Sequence, residues 1–143
     1  MKKKLLVSLT SALASLGVAA LPASASAAEL GSTGGTSYNN CARVSGDYEW
    51  TFRGDFDGLA GYTTSGTAHV RRGNPQCTLT PVLRWKGWVY TRSSSWVGFD
   101  WATLATGTGD VDLSFNGQIT RGVQLKICNL QPNGTINGCA TVR

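Results

Sequence analysis

The sequence predicts an all-β fold, a single small antiparallel β-sandwich or partly closed barrel of about eight short strands with two disulfides. Short runs in which apolar and polar residues alternate recur along the chain, and residues that favour turns separate them. The chain contains 18 glycines, and after residue 28 no stretch sustains a helical spacing of apolar residues over a dozen positions. All four cysteines lie in that same part of the chain, and an even number suits paired cross-links.

Residues 1–28 have the pattern of a secretory signal peptide. Three lysines precede an apolar run over residues 5–21, and the small residues of PASASAA follow. A transmembrane helix fits less well, because a span needs about 20 predominantly apolar residues and this run is shorter and ends at a proline. Cleavage after Ala25, Ala27 or Ala28 is expected, which predicts a secreted, extracellular protein without a membrane anchor.

The rest of the chain has the size of one domain. About 115 residues remain after the signal peptide, enough for one hydrophobic core but short of two. Residues 29–40 are mainly Gly, Ser, Thr and Asn and offer little to bury, which predicts a flexible leader. Residues 41–143 are predicted to form a single β domain.

The exported chain is predicted to carry little net charge. The full sequence has 13 basic and 8 acidic residues, a formal charge of +5, but three of the lysines belong to the signal peptide. The remainder carries 10 bases and 8 acids, a charge of +2, and its only adjacent basic pair is Arg71 and Arg72. Because nucleic-acid binding requires a basic stripe, no nucleic-acid partner is expected.

The cysteines are predicted to pair as Cys41 with Cys77 and Cys128 with Cys139. Their spacings of 36, 51 and 11 positions lack the close C-x-x-C pairs of a zinc site. Three connectivities are possible, and the second pair is favoured because it flanks NLQPNGTING, which is rich in turn residues. Since Pro132 cannot donate a ladder hydrogen bond, the connecting loop is expected to exceed two residues.

Period-two alternation predicts the strands. DYEWTFR places Tyr48, Trp50 and Phe52 on one face, and CTLTPVLRW likewise places Leu83 and Trp85 together. These faces are predicted to meet in the core.

A hairpin is predicted across the NG pair at residues 116–117. A three-residue loop would set Phe115 against Ile119 and Val111 against Val123. The alternative two-residue loop would put the two apolar faces on opposite sides, so the longer loop is preferred.

Residues 85–101, WKGWVYTRSSSWVGFDW, hold four of the five tryptophans. The KG pair at residues 86–87 suits the centre of a tight turn, and pairing outward from it puts Trp85, Trp88 and Tyr90 on the core face. Most of this aromatic density is therefore predicted to be core.

The end of this stretch continues the alternation. Val97, Phe99 and Trp101 share one face, which is predicted to be buried. Trp101 is accordingly expected in the core together with Trp50 and Trp85.

Trp96 is left on the opposite face, and it is the predicted ligand-binding residue together with Asp100 and Arg92. An outward indole supplies area for stacking on a sugar ring or an apolar patch, while charged neighbours fix the orientation of the ligand. The alternative is an exposed aromatic residue without a function.

No catalytic residue is predicted. His69 is the only histidine, the alternation of GTAHVRR makes it a solvent-facing strand residue, and no G-x-S-x-G pattern is present. A hydrolytic triad would need a serine and an acid beside it in space.

Two D-x-D pairs in glycine-rich segments, Asp55 with Asp57 and Asp110 with Asp112, are candidate calcium ligands. The twelve-residue EF-hand pattern is missing, so solvated turn carboxylates are the preferred interpretation and no metal or cofactor is expected.

Taken together, these features predict a small secreted, non-enzymatic binding domain. Its expected ligand is an extracellular polysaccharide or cell wall. The alternatives are an inhibitor or toxin that acts on a protein partner and, with least support, a small extracellular hydrolase.

Overall fold

The computed structural model describes the backbone of residues 29–142 and the side chains of residues 34–142. The predicted signal peptide, residues 1–28, lies outside this part of the chain. The strands are β1 Glu29–Thr36, β2 Ala42–Phe56, β3 Leu59–Arg72, β4 Thr80–Tyr90, β5 Trp96–Thr106, β6 Gly109–Asp112, β7 Thr120–Leu130 and β8 Ile136–Thr141, with a short 3-10 helix at Phe115–Gly117.

In the described part of the chain, all eight strands belong to one curled antiparallel sheet, a half-barrel. The order across the sheet is β1-β2-β3-β7-β4-β5, with β6 paired to β3 and β8 paired to β7. The predicted all-β class with two disulfides is confirmed, and the fold takes the partly closed form.

The core lies inside the curl, where β2 and β3 approach β4 and β7. Alternate residues of these strands point inward, and Leu113 follows β6 into the same space. The buried cluster consists of Ala42, Val44, Ala68, Val70, Leu83, Trp85, Val89, Leu113, Leu125 and Ile127. Burial of each larger apolar side chain stabilises the fold by roughly 1.5 to 3 kcal/mol.

The segment predicted from composition to be a flexible leader includes strand β1. β1 pairs antiparallel with β2, from Glu29 opposite Trp50 to Thr36 opposite Arg43. Main-chain hydrogen bonds carry such a pairing, and they do not require large side chains. One edge of the sheet therefore begins within this segment.

Both predicted disulfides are present. Cys41–Cys77 joins the residue before β2 to the segment before β4, and Cys128–Cys139 joins β7 to β8. The loop between β7 and β8, residues 131–135, is longer than two residues, as expected.

The tight turn predicted at residues 86–87 is wrong, because β4 runs through these positions without interruption. Gly87 instead marks a shift in the pairing of β4 with β7, where a Cβ would lie 3.1 Å from the carbonyl oxygen of Arg121. Alternation continues along β4, so Trp88 points away from the face of Trp85. Trp88 is 49% exposed, and its predicted place in the core is wrong.

Strand β5 contains a bulge that the alternation argument did not include. Between the pairs Trp85–Ala102 and Gly87–Phe99, two β5 residues face the single residue Lys86 of β4. The second of the two, Trp101, has a positive φ of 43°. The bulge turns Trp101 out of the core, which corrects its predicted burial.

Two further predictions of burial fail. Val97 and Phe99 are 43% and 40% exposed, because they lie on the edge strand β5, although Phe99 stacks on Trp85 with ring centroids 5.0 Å apart. Trp50 is half-buried. Of the three tryptophans predicted to be buried, Trp85 alone is buried.

The hairpin predicted across residues 116–117 is also wrong. β6 pairs with β3, with Val111 opposite Ala68, rather than with β7. The main-chain N–H of Ser114 donates to the carboxylate of Asp112 at 2.8 Å, and this local turn redirects the chain before the NG pair.

Candidate functional site

The face of β4, β5 and β7 that points away from the core combines tryptophans with basic side chains. Arg84 lies opposite Lys126, and Trp88 lies opposite Arg121, in the pairing of β4 with β7. Residues paired in this way project from the same side of a sheet. The aromatic–basic face consists of Arg84, Lys86, Trp88, Trp96, Trp101, Arg121 and Lys126.

Trp88 forms a flat, accessible platform on this face. It pairs with Gly98 of β5, and a Cβ on Gly98 would lie 3.0 to 3.2 Å from the six-membered ring of Trp88. The indole therefore rests against the β5 backbone, and about half of the residue remains exposed, 49%. Such a ring offers a surface on which a ligand ring can stack.

A groove of about 440 Å³ begins at this platform. Lys86, Asp100 and Gln124 line it beside Trp88. The ammonium group donates hydrogen bonds, the carboxylate accepts them and the amide does both. The groove therefore combines one stacking surface with polar groups of each type.

Three of the four cations of the aromatic–basic face lie over its tryptophan rings. The Nζ atoms of Lys126 and Lys86 are 3.9 and 5.1 Å from the centre of the Trp101 ring. The guanidinium of Arg121 is 5.7 Å from the centre of the Trp96 ring. Cation–π contacts of this kind hold a charge in place without neutralising it.

Trp96 is half-buried and makes structural contacts of its own. Its Nε1 donates a hydrogen bond of 3.0 Å to the carbonyl oxygen of Phe56. Its ring packs edge-on against Phe56 and Tyr90, with centroids 6.4 and 5.2 Å away. Tyr90, predicted to face the core, thus lies on the opposite side of β4. These contacts tie β5 to the end of the β2–β3 hairpin.

The structure separates the three predicted ligand-binding residues. Asp100 lines the groove, Trp96 is not among the lining residues, and Arg92 is exposed in the loop of residues 91–95. Sequence reasoning missed Trp88 because it placed a turn at the preceding glycine. The regular alternation along β4 was the signal that would have found it.

A second concavity of about 260 Å³ lies toward the core side, next to β2 and β3. Tyr48, Trp50 and Tyr62 line it together with Thr64 and Thr120. Burial raises the pKa of Tyr48 to about 12, so its phenol stays protonated at neutral pH. The two threonine hydroxyls donate to main-chain carbonyls. Both threonine hydroxyls therefore already serve the fold, and Arg121, which also lies over the Trp96 ring, is the one charged residue of this lining.

His69 belongs to a polar cluster on β2, β3 and β6. Its Nδ1 lies 2.8 Å from a carboxylate oxygen of Asp110, which also accepts a hydrogen bond of 2.9 Å from Arg71. These two bonds, that from His69 first, hold the pKa of Asp110 below its usual range. The side chain of His69 is 44% exposed, which confirms its predicted position facing solvent.

Ser45 lies opposite His69 in the β2–β3 pairing, so a serine, a histidine and an aspartate occupy three neighbouring strands. Within residues 34–142, however, Ser45 makes no hydrogen bond to His69. Nucleophilic catalysis requires that bond and donors for the developing oxyanion. The cluster is therefore interpreted as an exposed ion-pair network.

Three of the four D-x-D carboxylates lie on strands, Asp55 on β2 and Asp110 and Asp112 on β6. The carboxylate of Asp112 accepts hydrogen bonds from the hydroxyl and the main-chain N–H of Ser114, which lower its pKa. Asp57 has a positive φ of 51° in the β2–β3 turn. No group of three or more His, Cys, Asp or Glu residues suited to a metal ion occurs in the described part of the chain.

Comparison of the chain with protein-family models, curated proteins and solved structures finds no match. Within the described residues, no helix has the length and apolarity needed to span a bilayer.

Proposed function

We propose that this protein is a secreted, non-enzymatic carbohydrate-binding domain whose ligand site is the aromatic–basic face. The observation that supports this function best is the Trp88 indole, held flat over Gly98 and half exposed at the mouth of a polar groove. A sugar ring presents an apolar face of C–H groups for stacking and hydroxyls around its rim. Trp88 matches the first, and Lys86, Asp100 and Gln124 match the second.

A binding role accounts for the groove better than glycoside hydrolysis does. Glycosidases use two carboxyl groups on opposite sides of the scissile bond. The groove lining contains one, Asp100. The single acid suits recognition of hydroxyls, and catalysis would need a partner for it.

Retention on insoluble polysaccharides tests the proposal. The purified protein is incubated with cellulose, chitin, xylan and isolated cell walls, and bound protein is quantified after washing. Trp88→Ala should weaken binding by about 1 to 3 kcal/mol, roughly 5- to 150-fold, because it removes the stacking surface. Tyr38→Ala is the matched control, since Tyr38 is an aromatic residue outside the face and 84% exposed. Failure of the protein to bind any of these materials would contradict the proposed function, as would equal losses in the two variants.

Gly98→Ala probes the platform without removing the indole. The added methyl group would press on the Trp88 ring at 3.0 to 3.2 Å and tilt it away from β5. We expect reduced polysaccharide binding with a stability loss of about 1 kcal/mol, at the low end of overpacking effects. Unchanged binding in a folded Gly98→Ala protein would show that the flat orientation of Trp88 is not required.

A protein partner is the second candidate function, and the edge strand β5 favours it. Val97 and Phe99 are exposed there, and an open edge with apolar side chains can accept an added strand. The protein is tested as an inhibitor against a panel of proteases and amylases. Inhibition of one of these enzymes would support this function if the Val97→Lys variant no longer inhibits it. Retention on polysaccharides should be unaffected by Val97→Lys if the site is the aromatic–basic face.

A further inference from the structure

Positive charge is concentrated in one part of the sheet. Residues 80–106 and 118–142, which contain β4, β5, β7 and β8, hold five basic residues and one acid, a net charge of +4. Residues 29–72 and 109–112, which contain β1, β2, β3 and β6, hold seven acids and four bases, a net charge of −3. The net charge of +2 over residues 29–143 conceals this separation.

The cations of the aromatic–basic face are not neutralised by carboxylates. In the described part of the chain, the ion pairs join His69 and Arg71 to Asp110, on β3 and β6. Lys86 and Lys126 lie over Trp101 instead. Rings position these ammonium groups and leave their full charge available to a ligand.

Arg84 and Arg121 extend the same pattern. Arg84 donates to the main-chain carbonyl oxygen of Trp101, and its buried Nε has no hydrogen-bond partner in the described part of the chain. Arg121 lies over Trp96. All four cations therefore project from one face of two adjacent strands, β4 and β7.

We infer that the ligand of the aromatic–basic face is an anionic polysaccharide, one that bears carboxylate, sulfate or phosphate groups along its chain. This inference rests on the proposed carbohydrate-binding function and names the ligand class of the same site. Alternate residues of a strand are about 7 Å apart and neighbouring strands about 5 Å apart, so the four cations cover an extended area. Such an area suits repeated anions on a polymer better than a single small anion.

Asp100 favours a glycan over a nucleic acid. Its carboxylate lines the groove beside Trp88, where it can accept hydrogen bonds from sugar hydroxyls. The same carboxylate would repel the phosphates on either side of a base stacked on Trp88. An anionic glycan supplies both the hydroxyls for Asp100 and the charges for the surrounding cations.

Matched polymers that differ only in charge test the inference. Binding of the purified protein to polygalacturonate is compared with binding to its methyl ester, and binding to dextran sulfate with binding to dextran. Affinity for the anionic member of a pair should exceed that for the neutral member by about tenfold or more at low ionic strength. It should fall as salt rises from about 0.01 M to about 0.15 M, because the screening length shrinks from about 30 Å to about 8 Å.

Two double variants separate the site from net charge. Lys86→Gln/Lys126→Gln should weaken binding to the anionic polymer by about tenfold or more. Arg43→Gln/Arg53→Gln removes the same charge from exposed positions on β2 and should change affinity less than about twofold. Equal losses in the two double variants would show attraction to net charge alone and would overturn the inference.

The remaining outcomes distinguish this inference from the proposed function. The protein could bind the neutral and anionic polymers with equal affinity at every salt concentration and lose this binding in Trp88→Ala. That result would support carbohydrate binding and overturn the inference that the ligand is anionic. Binding to no polysaccharide would overturn both. Tighter binding of a mixed-sequence single-stranded oligonucleotide than of any glycan would overturn the glycan and assign the face to nucleic acid.

Discussion

The two sides of the curled sheet use their aromatic residues in opposite ways. The acidic side, strands β1, β2, β3 and β6, turns Tyr48, Trp50 and Tyr62 toward the core side, where they line a small concavity. The basic side, strands β4, β5, β7 and β8, turns Trp88 and Trp101 outward, among cations. On the first side, His69 and Arg71 form ion pairs with Asp110, whereas on the second side Lys86 and Lys126 lie over the Trp101 ring.

The difference arises from the regularity of the strands. From Ala42 to Phe52, β2 keeps a continuous register with β3, so its aromatic residues stay on one face. On the basic side, the pairing shifts at Gly87, and β5 bulges at Asp100 and Trp101. Bulges redirect side chains and are frequent near functional sites. The irregular side of the sheet is accordingly where the proposed ligand site lies.

The largest expected effect contrasts two tryptophans three residues apart on β4. Trp85 is 7% exposed and packs against Phe99 and Phe115, whereas Trp88 is 49% exposed. Trp85→Ala should lower the free energy of unfolding by about 3 to 5 kcal/mol, because it leaves a cavity in the core. Trp88→Ala should lower it by about 1 kcal/mol or less. Denaturant unfolding of the two variants measures both, and similar losses would contradict the assignment of faces.

The disulfide that closes the longer loop is expected to contribute more to the free energy of unfolding. Cys41–Cys77 joins positions 36 apart, from the acidic side to the segment before β4, and Cys128–Cys139 joins positions 11 apart within the basic side. In the chain-entropy model, removing the first costs about 4 kcal/mol and removing the second about 3 kcal/mol. Paired Cys→Ala variants measured by denaturant unfolding give the order. A larger loss for the shorter loop would show that native packing, rather than loop entropy, governs the difference.

Sequence periodicity located parts of β2, β4, β6 and β7, but neither β1 nor the breaks in strand pairing. The strand over DYEWTFR and both cysteine pairs were confirmed, but burial does not alternate along that strand as predicted, since Phe52 is 39% exposed. Gly87 lies within a strand where β7 approaches its backbone closely, and the local sequence does not contain that approach. The same holds for the bulge at Trp101, which exists only relative to β4. Trp88 was misplaced because β4 was predicted as two strands joined by a turn at residues 86–87.

The contact between polar residues far apart in the chain could not be predicted from the sequence either. His69 and Asp110 are 41 positions apart, and they meet because β6 adds to β3 rather than to β7. The turn at Ser114 that causes this arrangement competes with the NG hairpin signal two residues later. Local turn propensities alone do not decide between them.

The smallest expected effect is the acid sensitivity of the β3–β6 cluster. Hydrogen bonds from His69 and Arg71 lower the pKa of Asp110, so the folded protein binds this proton more weakly than the unfolded chain does. The cluster therefore contributes stability above about pH 4, the usual range of an aspartate, and that contribution is lost as pH falls through the lowered pKa.

Asp110→Asn should be less stable than the native protein at pH 7 by a small margin, because the pair is exposed. The margin should shrink to nothing as pH falls through the lowered pKa of Asp110. Asp100→Asn, on the basic side and without an ion pair in the described part of the chain, serves as the control. Denaturant midpoints at a series of pH values report the margin, and a constant difference between Asp110→Asn and the native protein at every pH would contradict the assignment of this stabilisation to the carboxylate charge.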